Sequence, residues 1–130
     1  MDYEYSNNFL MAVELCLNQN NQLEDQILLS LANLEKIHTG LEVDKDENSF
    51  KFSVTDTVDR DNNVIVDMVL KFLTDNRAAF IKSVEQGGEV VFAIYIWSLK
   101  ASDTPQIDFN TEQMKLMGDI GVNLSFVVYT

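Results

Sequence analysis

The sequence predicts a single α+β domain in which a mixed, mostly antiparallel sheet of about five strands packs against three helices. Three observations lead to this prediction. Strand-like and helix-like apolar patterns alternate along the chain. The apolar fraction of 46% suffices for a core, and no repeat, low-complexity tract or Gly/Ser linker interrupts the sequence. The length of 130 residues is that of one ordinary domain, so we assign residues 1–130 to a single unit.

The first strand and the first helix have the clearest local patterns. Apolar side chains at every second position of residues 9–17 predict a strand with one buried face. Leucine and isoleucine then recur at helical spacing over residues 23–37. Asn21 is the predicted N-cap, because Glu24 follows three residues later as in a capping box. Gly40 is the predicted left-handed residue at the C′ position of this helix.

The middle of the chain predicts a hairpin followed by a long helix. The expected order is a short edge strand, a hairpin loop, a strand with one wet face and a second acidic loop, at residues 41–43, 44–48, 50–54 and 56–63. The longest helix is predicted over residues 63–85. Its Thr-Asp-Asn sequence at residues 74–76 is poor for a helix and predicts a bend or a break there.

The C-terminal part predicts a central strand, a short helix and a final strand. Residues 90–97 are apolar on both faces, so we expect a helix to cover Tyr95 and Trp97. Asn110 is the predicted N-cap of the short helix, with Gln113 at the capping-box position and Gly121 at its end. A strand over residues 124–129 closes the chain. This order of elements fits a ferredoxin-like core with an added helix and strand.

The C-terminal tail also carries a family resemblance. Residues 106–114 (QIDFNTEQM) and 118–129 (GDIGVNLSFVVY) resemble the ending of a bacterial domain-of-unknown-function family, number 4279. Residues 120–124 and Tyr129 stand at positions that match the closing pattern of the family. The strands and the long helix that precede them occur in the same order as in the family. The resemblance covers the last two-thirds of the chain. The family has no established activity, but some members resemble immunity proteins, whose genes lie beside toxin genes. The resemblance therefore implies a binding role.

Charge and cysteine content restrict the partners and the compartment. The net charge of −12 repels nucleic acid and anionic lipid and attracts a basic protein. We therefore expect no direct nucleic-acid partner and no membrane. The sequence shows no signal peptide and a single cysteine, which predicts a cytoplasmic protein in a reducing environment.

Residues with catalytic or metal-binding chemistry are sparse. His38 is the only histidine, and Cys16 has no basic neighbour in sequence to activate it. No phosphate-binding loop and no nucleophile elbow are present. The calcium-loop spacing that begins at Asp44 breaks at Ser49 and Thr55. The prediction is a protein that is not an enzyme and uses no cofactor or metal.

The candidate partner-binding residues are acidic and lie in two loops and the first helix. They are Asp44, Asp46, Glu47, Asp56, Asp59, Asp61, Glu24, Asp25 and Glu35. We expect them to cover the active or substrate site of a basic toxin, such as a nuclease, as in an immunity or antitoxin protein. Two alternatives remain: a phage-encoded inhibitor that imitates nucleic acid, and a small regulatory module that binds a ligand or forms a homo-oligomer through its sheet edge. The acids can also serve solubility alone.

Overall fold

Five strands alternate with four helices in the computed structural model, which describes residues 8–59, 64–98 and 107–129. The elements are β1 (Asn8–Asn18), α1 (Asp25–Ile37), β2 (Glu42–Lys45), β3 (Ser49–Asp59), α2 (Val64–Asp75), α3 (Arg77–Glu85), β4 (Glu89–Ser98), α4 (Thr111–Ile120) and β5 (Asn123–Tyr129). Of these helices, none has the length and apolar character that crossing a membrane requires.

The strands form one mixed sheet in the order β2-β3-β1-β4-β5. Within this order, β2, β3, β1 and β4 pair with one another in antiparallel orientation. Helix α1 connects β1 to β2, and the α2–α3 pair connects β3 to β4, which is the arrangement of a ferredoxin-like core. Helix α4 then leads to β5, which pairs with β4 in parallel at the edge of the sheet. The predicted α+β class, the mixed sheet and the added helix and strand are therefore confirmed.

The helix predicted over residues 63–85 is two helices, so the described helices number four rather than three. The break lies at Asn76, whose backbone has φ −118° and ψ 23°. Its buried side chain donates from Nδ2 to the Phe72 carbonyl at 3.0 Å and accepts from Ser30 Oγ at 3.2 Å. Asparagine side chains bond to nearby backbone in this way and so compete with regular helical geometry. The break falls at the weak point that the sequence indicates.

The described helices all pack on one face of the sheet. Their apolar side chains share a core with alternate residues of the central strands: Met11, Val13, Leu15, Leu17, Phe50, Phe52, Val54, Val90, Phe92, Ile94 and Ile96. At its centre four phenylalanine rings, Phe50, Phe52, Phe72 and Phe80, contact one another with centroid distances of 5.2 to 6.2 Å. Edge-to-face contacts in this range add to the burial of the rings. This arrangement leaves the second face of the sheet without a described helix.

The hairpin strands differ from the predicted bounds, and the difference moves three acidic residues out of loops. β2 begins later than expected and includes Asp44, while β3 continues past Val54 through Asp56 to Asp59. β3 is longer because β1 also has eleven residues and pairs with it along its whole length. The β-branched residues between Val54 and Asp59 suit this extended conformation.

The ends of α4 agree with the sequence prediction. The Asn110 side chain accepts from the Gln113 N–H at 2.8 Å, and the Gln113 side chain accepts from the Asn110 N–H at 2.9 Å. This reciprocal pair is the predicted capping box. Gly121 ends the helix in the left-handed conformation, with φ 87°. The C-terminal cap is therefore confirmed as well.

The ends of α1 do not agree with the prediction. Asn21 is not the cap: Glu24 holds the N-cap position in an extended conformation, and the Asn21 side chain donates to Gln86 Oε1 at 2.8 Å. The Leu23 N–H, which a cap at Asn21 would place in the first turn of the helix, instead donates to the Glu47 carbonyl. Gly40 has φ 130°, but the C-cap is His38, so the glycine stands one position beyond C′.

Candidate binding surface

The side of the sheet away from the helices is a surface that we call the open face. It consists of Leu10, Ala12, Glu14, Cys16 and Asn18 of β1, Glu42 and Asp44 of β2, Lys51, Ser53, Thr55 and Thr57 of β3, Glu89, Val91, Ala93, Tyr95 and Trp97 of β4, and Asn123, Ser125, Val127 and Tyr129 of β5. Except for Ala93, these side chains are half-buried or exposed, and none belongs to the core shared with the helices. The expectation that a helix covers Tyr95 and Trp97 is therefore wrong for the four described helices.

One corner of the open face is aromatic. The rings of Trp97 and Tyr129 stack with centroids 4.9 Å apart and planes 6° apart, and Tyr95 stacks on Trp97 at 6.5 Å. Leu10 lies beside Trp97 on β1, and Val127 lies beside Tyr95 on β5. Together with Ala12, these residues form what we call the aromatic corner. Residues of this kind dominate the binding energy of protein interfaces when they can be fully buried by a partner.

The sequence contained a signal for the aromatic corner. Residues 90–97 are apolar at every position, which separates them from a strand with one wet face. A strand of this kind is covered on both sides, either by its own chain or by a partner. The pattern does not say which, because the position of the helices depends on the sheet topology. The four described helices all lie on the opposite face.

The rest of the open face is polar and predominantly acidic. Its described charged side chains are Glu14, Glu42, Asp44, Lys51 and Glu89. The four acids and one base give the face a formal charge of −3, and Glu14 lies in the central strand of the sheet. The aromatic corner thus adjoins a polar surface of net negative charge, and an apolar centre beside a polar rim is the layout of a protein interface.

Glu14 also affects the chemistry of its neighbours. Burial and the nearby Glu14 carboxylate raise the pKa of Cys16 from an ordinary 9.0 to about 11. The thiol donates to Glu14 Oε1 at 3.6 Å, so it is protonated at neutral pH and is not activated as a nucleophile. Burial and the same carboxylate raise the pKa of Tyr95 as well. Both side chains therefore present neutral hydrogen-bonding groups on the open face.

Five of the predicted partner-binding acids lie at one end of the sheet: Glu24, Asp25, Asp44, Asp46 and Glu47. The loop before α1 is tied to the β2–β3 hairpin, since Leu23 N–H donates to the Glu47 carbonyl at 2.8 Å and Gln19 N–H donates to the Asn48 carbonyl at 3.2 Å. These bonds place the start of α1 beside the hairpin. The structure thus places the acids at the start of α1 near those of the hairpin.

Basic side chains reduce the charge at this end of the sheet. Lys82 pairs with Glu24 at 3.4 Å, Lys51 lies opposite Asp44 in the strand register, and Lys45 ends β2. Five acids therefore stand with three bases. The hairpin end has less excess negative charge than the total of −12 suggests.

The remaining predicted acids lie elsewhere. Asp56 and Asp59 belong to the far part of β3, a strand whose eleven residues span roughly 33 Å. Glu35 is exposed near the C-terminal end of α1, away from Glu24 and Asp25. Asp61 lies outside the described residues. The nine acids therefore do not form one patch.

Two grooves lie on the helical side, and ion pairs or a helix cap use several of their polar groups. The larger, of about 720 Å³, lies between α2 and α4, where Lys71 pairs with Asp75 at 3.0 Å and Arg77 pairs with Asp119. A second groove of about 540 Å³ lies between α1 and α2 and includes the exposed Ile37. Within residues 8–59, 64–98 and 107–129, no three His, Cys, Asp or Glu side chains are grouped to hold a metal ion.

Comparison with protein-family models, with curated protein sequences and with solved structures finds no match to this chain. The resemblance of its C-terminal tail to the domain-of-unknown-function family 4279 stays a prediction. The open face must therefore be interpreted from its own chemistry.

Proposed function

We propose that this chain is a non-catalytic binding protein that holds a basic protein partner against its open face. The stack of half-buried Trp97 on exposed Tyr129, on a sheet face without a described helix, carries the proposal. A protein that leaves large aromatic side chains only partly covered retains apolar area that a partner can remove from water. Tryptophan and tyrosine are the residues most enriched among those that dominate binding energy.

The charge of the open face supports a basic partner. Glu14, Glu42, Asp44 and Glu89 border the aromatic corner or lie across the sheet from it, and Lys51 is the single base among its described residues. The net charge of −12 extends this attraction beyond contact distance and increases the rate of encounter. The aromatic corner supplies the apolar anchor, and the acids supply register and specificity.

The specific role we propose is that of a bacterial immunity or antitoxin protein, which neutralises a basic toxin by covering its active or substrate site. The acidic charge, the small size and the resemblance of the tail to immunity-like proteins support this role. Asp46 and Glu47 in the hairpin turn are exposed beside the open face and can extend the contact. A nuclease is a suitable target, because its phosphate-binding site is basic.

Calorimetric titration against candidate basic toxin domains, including the product of the neighbouring gene, tests the proposal. We expect a one-to-one complex whose affinity falls at least about 30-fold with Trp97→Ala, because removing an anchor of this type costs about 2 kcal/mol or more. Trp97→Phe should retain most of the affinity. Leu29→Ala is the matched control, since Leu29 is an exposed apolar residue of α1 on the helical side.

Salt and charge variants separate specific binding from general attraction. Asp44→Asn should slow association and weaken its dependence on salt, whereas Glu112→Gln on the exposed side of α4 should have little effect. Cytochrome c serves as a basic protein without the shape of a cognate partner. If Trp97→Ala binds every toxin domain as tightly as the wild type does, the open face is not the binding surface. If no toxin domain binds better than cytochrome c, the immunity role is wrong.

A further inference from the structure

β5 (Asn123–Tyr129) lies at one edge of the sheet that the described strands form. Within residues 8–59, 64–98 and 107–129, only β4 pairs with it. Its outer edge therefore offers a row of backbone N–H and C=O groups to an additional strand. Such an edge is a site for pairing with another chain unless the sequence protects it.

The two edges of the sheet differ in this protection. β2, at the opposite edge, has four residues, and its sequence EVDK carries three charges. Short length and charged side chains are the usual means by which an edge strand avoids pairing. β5 has seven residues, NLSFVVY, with no charge, no proline and no glycine. The sequence thus protects one edge and leaves the other suited to pairing.

The side chains of β5 are apolar and exposed. On the helix-side face Leu124, Phe126 and Val128 are 39%, 47% and 52% exposed, and on the open face Tyr129 is 44% exposed. Phe126 also contacts the Phe109 ring at 6.4 Å, which fixes its orientation at the edge. A partner strand would therefore bury apolar side chains in addition to satisfying the backbone.

We propose that a second copy of this chain pairs with β5 in antiparallel orientation, with the two-fold axis at Phe126. In this register Phe126 faces its own counterpart, and Leu124 faces the counterpart of Val128. Apolar residues thus meet apolar residues on the helix-side face, and the contact is the same for both copies, as a closed two-fold interface requires. The two five-stranded sheets join into a single sheet of ten strands.

The charge distribution favours a second copy as the occupant. A chain of net charge −12 repels its own copy over most of its surface. Of the five described strands, β5 alone has no charged residue, so two copies approach there with the least repulsion. A basic partner has the opposite preference and is drawn to acidic surface. The uncharged edge therefore suits another copy of this chain.

The contact area indicates a weak dimer. Seven paired residues span about 23 Å. Phe126 and Tyr129 each expose about half of the side chain, roughly 100 Å² per ring, which a second copy could bury. An interface centred on one strand falls in the small class, below about 1,200 Å² in total. We therefore expect a dissociation constant of roughly 1 to 100 µM.

Sedimentation velocity of the full chain between about 1 and about 300 µM covers this range. We expect the wild type to convert from monomer to dimer with concentration, and Phe126→Lys to stay monomeric throughout. Leu29→Lys is the control, because it adds the same charge at a residue that is 63% exposed on α1. Circular dichroism confirms that each variant is folded. A wild type that stays monomeric at the highest concentration, or a dimer that persists in Phe126→Lys, overturns the proposal.

A cysteine variant tests the register directly. Residues that face each other in antiparallel strands have Cα atoms about 4.5 to 5.5 Å apart, which is within the range of a disulfide. Phe126→Cys in a Cys16→Ser background should form a covalent dimer with diamide, and Leu29→Cys in the same background should not. Failure of Phe126→Cys to cross-link faster than Leu29→Cys rejects the two-fold axis at Phe126.

The dimer and the proposed toxin-binding function can fail independently. Phe126 lies on the helix-side face and is not part of the aromatic corner. Phe126→Lys should therefore abolish self-association and leave binding of the basic partner intact. Added salt separates the two as well: it should strengthen self-association, by screening like charges, and weaken binding of the basic partner.

Discussion

Replacement of Asn76 by aspartate would change a buried amide into a titratable acid of the same shape. The wild-type side chain is 1% exposed, donates from Nδ2 to the Phe72 carbonyl and accepts from Ser30 Oγ. In Asn76→Asp the oxygen that replaces Nδ2 faces the Phe72 carbonyl oxygen. Only the protonated acid can donate a hydrogen bond there. The variant should therefore resemble the wild type when the new carboxyl is protonated and lose stability when it ionises.

The size of this loss follows from burial. A carboxyl has a pKa of about 3.9 in the unfolded chain, and full burial raises it by up to roughly 3 to 5 units in the folded state. The carboxyl therefore does not destabilise the fold below about pH 4, and its cost grows as the pH rises toward the folded value. A rise of about three units corresponds to about 4 kcal/mol. This is a large fraction of the roughly 5 to 15 kcal/mol that holds a domain folded.

Urea unfolding at about pH 4.5, 6 and 7.5, followed by circular dichroism, measures the difference between each variant and the wild type at the same pH. Asn76→Ala is the control. It removes two hydrogen bonds and should cost about 2 kcal/mol at every pH. A cost of Asn76→Asp that does not increase with pH would refute the reasoning, because it would mean that the side chain at position 76 is accessible to water.

Two further predictions concern Cys16 and the cap of α4. At neutral pH folded Cys16 should react with iodoacetamide about 100-fold more slowly than a thiol of ordinary pKa, because its pKa is about 11 rather than 9.0. Glu14→Gln should recover only part of the rate, since burial is the larger cause of the raised pKa. Reaction of wild-type Cys16 at the rate of an ordinary thiol would contradict this prediction. Asn110→Ala should lower the free energy of unfolding in urea by about 1 kcal/mol, since it removes the N-cap of α4. Asn21→Ala should cost less, because Asn21 caps no helix. Equal costs of the two substitutions would show that the capping box adds nothing.

The structure points to other residues for a binding experiment than the sequence does. The eight predicted acids within the described residues spread over both ends of β3 and over α1, and lysines accompany those at the hairpin end. Among the predicted acids whose side chains the structure describes, Asp44 lies on the open face. The aromatic corner is the more concentrated feature, because Trp97, Tyr129 and Tyr95 stack within a few ångströms. The acidic charge then acts mainly through its long-range field.

Local patterns predicted most of the elements of this fold. The α4 cap was correct because its signals are contained within twelve residues, from Asn110 to Gly121, and depend on no distant contact. The predicted cap of α1 was wrong because a distant residue takes part: the Leu23 N–H donates to the Glu47 carbonyl, and the helix begins later than Asn21 and Glu24 suggest. The extension of β3 to Asp59 likewise depends on β1, its partner strand.

The sequence by itself determined the fold class, the order of the elements, the break near Asn76 and the strong negative charge, because these follow from residue types and their spacing. Only the tertiary structure decided that the four described helices lie on one face and that Trp97, Tyr129 and Tyr95 come together on the other. It also placed the uncharged β5 at an edge of the sheet formed by the described strands. These features depend on strand order and register, which join residues far apart in the chain.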